Sequence, residues 1–312
     1  MLNIIYAGTP EFAVPALQSL LRSEHRVVAV YTQPDRPAGR GRKLQQSAVK
    51  TCAREHDLPV RQPTSFNAQA DVDELCSFNA DLMVVAAYGL LLPVAVLTAP
   101  RLGCVNIHAS LLPRWRGASP IQQAILAGDE NSGVTLMKME QGLDTGAMIA
   151  LRSVALRPSW NAADLHDVLA PLGAGLLLDS LDNIEQAMQQ AQVQDESQAT
   201  YAPRLSKQQA EIDWNKPVAN LLREIRAFNP WPVSYTFLDD DNVRLWSAQA
   251  AADVTGELPG VVVAHDSHGV FVSGVDGVLQ VTELQFAGRN RCSAAQALNA
   301  RNLSGCLLGK RR

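Results

Sequence analysis

At 312 residues the chain exceeds the roughly 250–300 at which a single hydrophobic core stops growing, so two domains are expected. Hydrophobic residues make up 47% and charged residues 19%, which excludes a chain disordered throughout. The net charge of −4, from 27 basic against 31 acidic residues, excludes a globally basic polyanion binder, so any phosphate-gripping surface must be local.

The first half alternates strand and helix signals. Residues 2–7 read as a buried strand and 12–21 as a helix, with further strands at 26–31, 81–87 and 103–108. Short β-branched runs separated by helical segments predict a Rossmann-like, doubly wound parallel α/β sheet covered on both faces. Ligands in such sheets bind beyond the carboxyl ends of the strands, which places 8–10, 88–90 and 106–110 on one rim. Strands at 134–139 and 148–154 follow, then a long helix over 162–190. The stretch 186–198 is polar and rich in Gln, Ala and Asp, as a helix end running into a linker would be. The expected division is a catalytic domain over 1–190, a linker over 191–206 and a C-terminal domain over 207–312. In the last, a helix at 216–227 precedes short strands at 234–238, 243–248, 260–264, 269–272 and 278–284, predicting a small OB-like β-barrel.

The five cysteines, Cys52, Cys76, Cys104, Cys292 and Cys306, form no metal-ligand pattern, and an odd number argues against a complete disulfide framework. A cytoplasmic location is expected. Apolar stretches such as 82–92 fall far below the roughly 20 residues that cross a bilayer, so no membrane association is expected.

The densest polar cluster ends an apolar strand: Asn106-Ile107-His108-Ala109-Ser110. Strand alternation sends Asn106 and His108 to the same side. Asp144 lies in the glycine-flanked loop Gly142-Leu143-Asp144-Thr145-Gly146, where an Asp is by itself only a turn former. Together the three suit addition–elimination at a carbonyl. Asn106 can donate to a developing oxyanion, His108 can carry a proton, and Asp144 can orient its ring. Cys104, inside the strand, reads as a buried structural thiol rather than a nucleophile.

The run Asn106 to Pro113, with Leu143-Asp144-Thr145-Gly146, resembles the signature of 10-formyltetrahydrofolate-dependent formyltransferases. The segments 7–13, 32–41, 88–90, 112–118, 212–214 and 225–232, with Lys207, resemble the members that act on methionyl initiator tRNA. The resemblance implies catalytic roles for Asn106, His108 and Asp144. It implies a tetrahydrofolate site at Ser110, Leu111, Leu112 and Pro113. Expected co-substrates are 10-formyltetrahydrofolate and initiator methionyl-tRNA, without a metal, in a monomer. Arg36, Arg40, Arg42 and Lys43 crowd a Gly/Pro-rich segment after a rim strand. An isolated basic run of this kind is a solvated loop; placed on the rim, its cations can grip phosphates. The resemblance implies insertion at the tRNA acceptor end. The segment 228–232 stays open between an aromatic binding site and Trp231 packing a helix onto the barrel.

A non-enzymatic tRNA-binding or folate-sensing protein that keeps the fold is one rival reading, against which the intact Asn106, His108 and Asp144 argue. A nicotinamide oxidoreductase fits the first domain, but Gly8-Thr9-Pro10-Glu11-Phe12 lacks the GxGxxG spacing that admits a pyrophosphate. A formyltransferase acting on glycinamide ribonucleotide or an amino sugar shares the chemistry, and the long C-terminal extension disfavours it.

Overall fold

Continuous apolar runs become strands of one sheet because only a strand covered on both faces can bury such a run. The computed structural model describes residues 1–38, 43–252 and 254–309. In the first compact unit the strands are β1 (Asn3–Gly8), β2 (Arg26–Tyr31), β3 (Val60–Arg61), β4 (Leu82–Ala86), β5 (Cys104–His108), β6 (Asn131–Lys138) and β7 (Met148–Ala155). Their order is β7-β6-β5-β4-β1-β2-β3. β1 through β5 run parallel, as expected, and every residue of β4 and β5 is buried. β6 pairs antiparallel with β5, and β7 antiparallel with β6. The residues 139–147 between β6 and β7 are too few for a crossover, so the second strand must double back. The sheet is therefore parallel-dominated with an antiparallel edge.

Helices Val14–Leu21, Ala48–Glu55, Gln69–Ser77 and Ala162–Leu181 accompany this sheet. One face of the sheet packs Ile5, Tyr31, Met83 and Val85 against Leu75 and Val96. Gly173 lets the last helix approach closely, since a Cβ there would stand 2.7 Å from Ile107 Cγ2. The single helix expected over 162–190 is instead two, with Ile184–Gln189 following a break at Asp182-Asn183. Asp and Asn compete with the helix by bonding nearby backbone, which accounts for the break. The chain then stays with this unit: Gln192 bridges Met148, and Tyr201–Ala202 pairs in parallel with Arg116–Gly117.

The second unit comprises the chain from Pro203 onward together with Ile121–Glu130 and Leu156–Leu165. Its strands β8 (Tyr235–Leu238), β9 (Asp241–Ala251), β10 (Val262–His265), β11 (Val270–Ser273), β12 (Val278–Phe286) and β13 (Cys292–Ser293) form an antiparallel sheet. The order is β8-β9-β12-β11-β10, with β13 also on β12. The chain end joins the two edges: Leu308 bridges Leu238 at the end of β8, and Leu307 bridges Val261 just before β10. The result is the small C-terminal β domain predicted. Helix Val218–Ala227 buries Val218, Leu221 and Ile225, spaced three and four apart, against Leu245, Val272 and Leu279. A further helix, Ala294–Ala300, was not anticipated; Ser293 and Gln296 form a capping box at its start.

Candidate active site

β5 is flanked on both sides, Asn106 opposite Val85 and Met137, and His108 opposite Thr135. This fixes the backbone from which the two polar side chains project. Asn106 and His108 are only 9% and 6% exposed. No hydrogen bond ties the Asn106 amide to another described residue, so its donors are free for a ligand. At the neighbouring strand ends, the Thr9 hydroxyl donates to the Tyr88 carbonyl (2.9 Å) and accepts from the Gln33 backbone N–H (3.3 Å). One side chain thus joins the loops after β1, β2 and β4 into a single rim.

The loop between β6 and β7 brings Asp144 to His108. Asp144 Oδ2 lies 3.7 Å from His108 Nδ1 and accepts the Gly117 backbone N–H at 2.8 Å. His108 Nε2 lies 2.9 Å from the Trp115 carbonyl, so that nitrogen carries a hydrogen and Nδ1 is the edge turned to the carboxylate. Asp144 has φ +53, a left-handed conformation uncommon outside glycine. Gly146 permits the loop's tight return, because a Cβ there would fall 1.9 Å from the Lys138 carbonyl oxygen.

Arg116, a cation of the segment 112–118, is fully buried. Its Nε donates to Gln194 Oε1 at 2.9 Å, and its Nη1 and Nη2 donate to the two Glu196 oxygens at 2.9 and 2.8 Å. These bonds hold the Glu196 carboxyl below the usual carboxylate range. Arg114 stacks instead on Trp115, 4.3 Å above its ring.

In the expected folate segment, Ser110 Oγ donates to the Arg114 carbonyl (2.6 Å), and Thr135 Oγ1 takes the Leu112 N–H (3.1 Å) while donating to the Ser110 carbonyl (2.7 Å). Ser110 and Leu112 are buried and spent on the turn itself, whereas Leu111 and Pro113 keep accessible surface. Of the basic loop, Arg36 is exposed and donates to Gln33 Oε1. Arg40 and Arg42 lie outside the described residues, as does the side chain of Lys43. The loop's first leg is anchored: Lys50 Nζ bonds both Asp35 oxygens (2.8 and 2.7 Å) and Gln62 Oε1 (2.7 Å). Cys104 is buried, and its thiol is pushed up to about 12 by desolvation, in keeping with a structural role.

In the second unit, Trp231 does not pack the helix down. It is 52% exposed, while Phe228 fills the interior. Trp231 lines a cleft of about 450 Å³ with Lys207, Tyr235, Phe237, Arg244 and Trp246. Among the described residues that line the cleft, none is acidic. Thr135 and Gln194 were not singled out from the sequence, because an isolated polar residue carries no periodic or spacing signal of burial.

The chain matches the formyl transferase family model over residues 2–181 and the formyl transferase C-terminal domain model over 204–302. It is 48% identical over 299 residues to a methionyl-tRNA formyltransferase of Coxiella burnetii, covering 96% of this chain and 95% of that one. Among solved structures, HypX of Aquifex aeolicus in complex with tetrahydrofolic acid superposes with a TM-score of 0.64 at 18% identity, over 95% of this chain. The chain spans 47% of HypX. An N-formyltransferase of Helicobacter canadensis, in complex with folinic acid and dTDP-3-aminofucose, superposes with a TM-score of 0.66 at 19% identity, covering 90% and 99% of the two chains. At these identities the structural likeness establishes the fold.

Proposed function

The chain belongs to the formyl transferase family, and we propose that it moves a formyl group from 10-formyltetrahydrofolate to the α-amino group of methionyl initiator tRNA. The observation that carries this reading is the gathering of a free Asn106 amide, His108 and Asp144 at the carboxyl end of β5, in a chain 48% identical to a methionyl-tRNA formyltransferase over nearly its full length.

The donor set fits a formyl carbonyl: an amide without a described partner beside a histidine with one nitrogen free of strong bonds. Folate, when bound, supplies a formyl carbon on a nitrogen that departs as an amine. The remaining work falls to the chain. Asn106 donates to the carbonyl oxygen as it gains negative charge. His108 Nδ1 takes the proton that the attacking amine loses as its bond to the formyl carbon forms. The same proton is delivered to the departing nitrogen as its bond to that carbon breaks, so the ring ends as it began. Asp144 stabilises the imidazolium in between, across the 3.7 Å separation. An α-amino group titrates at about 7.7–8.0 in peptides, so part of it is already neutral near pH 7, and the proton relay needs no strong base. Leu111 and Pro113 offer the accessible apolar surface of the folate segment.

For the tRNA, Arg36, Arg40, Arg42 and Lys43 are assigned to phosphates at the acceptor end, and the Trp231 cleft with Lys207 and Arg244 to the tRNA body. The deciding assay supplies 10-formyltetrahydrofolate with aminoacylated initiator or elongator methionine tRNA, or with a free amino sugar. Formylation of the initiator alone is expected. Preferential formylation of the small amine would overturn the assignment.

A further inference from the structure

Gln194 lies in the polar stretch expected to be a linker, yet it is only 4% exposed. Both of its amide N–H donors and its amide oxygen are directed at the active-site loops. Its Nε2 donates to the carbonyls of Asp144 and Gly146, both at 2.8 Å, and its Oε1 accepts from buried Arg116 at 2.9 Å. The two partners it joins are the two segments that hold the acid–base pair. On one side is the Asp144 backbone at φ +53. On the other is the stretch in which the Trp115 carbonyl accepts from His108 Nε2 and the Gly117 N–H donates to Asp144 Oδ2.

We propose that Gln194 is a positioning residue, whose amide clamps the Asp144 loop to the Arg116 segment and so sets the approach of the Asp144 carboxylate to His108. The chemistry selects glutamine. Two carbonyls need two N–H donors, and the guanidinium needs an acceptor; a single primary amide supplies both. A carboxylate would keep the Arg116 contact but turn oxygens on both carbonyls. An apolar side chain would leave two buried carbonyls and an Arg Nε unpaired. Outside the clamp, the bidentate Arg116–Glu196 pair fixes the guanidinium that Gln194 must meet. Misplacing a catalytic group by about 1 Å can cost roughly 10²-fold in rate, so a side chain that never touches substrate can act on turnover through Asp144.

This inference rests on the formyl-transfer reading, and the wild-type protein is the control for that reading: if it does not formylate methionyl-tRNA, the reading fails and not the clamp. The test measures kcat and KM for methionyl-tRNA in Gln194→Glu, Gln194→Met, Asp144→Asn and the double variants. Each Gln194 variant is expected to lose at least roughly tenfold in kcat with KM within about twofold of wild type. In the Asp144→Asn background the same Gln194 changes are expected to add almost nothing, because their effect passes through the carboxylate. Unchanged kcat in a folded Gln194 variant, or the full loss repeated in the Asp144→Asn background, would overturn the proposal. Should the Gln194 variants not fold, Glu196→Ala carries the test from an exposed position. A severalfold fall in kcat with unchanged KM is then expected, and an unaltered kcat overturns the clamp.

Discussion

His108 Nδ1 stands 3.7 Å from Asp144 Oδ2, too far for a full hydrogen bond and close enough for the two to share a proton after a small movement. The carboxylate is kept there by the Gly117 N–H rather than by the imidazole. Asp144→Asn preserves the size of the side chain and an oxygen for Gly117, and removes only the charge. A fall in kcat of roughly 10²–10³ is expected, of the size seen when one electrostatic contributor is deleted. Asn106→Ala should fall in the same range. Both variants are expected to bind tRNA as wild type does, and steady-state formylation with a separate binding measurement checks the split.

Much of this architecture is legible in the chain itself. Buried parallel strands announce themselves as unbroken apolar runs, and Arg26–Tyr31 forms the strand its sequence predicts. Asn106 and His108 close one such run, and strand alternation sends both to the same side. Asp144 is different. It reaches His108 through a left-handed turn and the room left by Gly146, and although the glycines show in the sequence, no local pattern encodes which distant residue the carboxylate meets. Arg116 and Gln194 are harder still, since charge and polarity normally mark a surface. Only the closure of their mutual bonds makes burial tolerable, and that closure exists only in the fold.

Two cysteines offer a direct test of burial. Cys104 is enclosed, and desolvation raises its thiol to about 12; Cys76 is exposed. At pH 8 a thiol of that kind stays protonated, and the thiolate is the reactive species. Brief treatment of native protein with iodoacetamide should therefore modify Cys76 and spare Cys104, while both react in denaturant. Peptide mass mapping reads the result, and early modification of Cys104 in the native protein would contradict it.

Asp35 gives a pH-dependent expectation. Hydrogen bonds from Lys50 and Gln62 hold its carboxyl below the ordinary value near 3.8. A carboxyl depressed on folding contributes stability above its unfolded pKa and loses that contribution as pH falls through the folded one. Asp35→Asn should accordingly lower the urea midpoint at pH 7. The gap between variant and wild type should narrow as pH drops below about 4, because the wild-type carboxyl is then protonated as well. A gap independent of pH would remove Asp35 from this account.

The aromatic cleft of the second unit separates two kinds of tRNA contact. Trp231 presents an exposed ring, and Arg244 and Lys207 present exposed cations at its margin. Stacking on a base is worth roughly 1–3 kcal/mol and is little affected by salt, whereas a cation on a phosphate releases counterions. Trp231→Ala should thus raise KM for tRNA, by about fivefold or more, with an unchanged slope of log KM against log salt. Arg244→Ala should raise KM as well, and reduce that slope by about one. Neither change should alter kcat, because both residues lie in the C-terminal unit and outside the Asn106–His108–Asp144 group. Measuring KM between 50 and 200 mM salt, a range over which phosphate contacts weaken steeply, distinguishes the two roles. A common loss of slope in both variants would mean that Trp231 acts only by holding the cations, and an unchanged KM in both would take the cleft out of the tRNA surface.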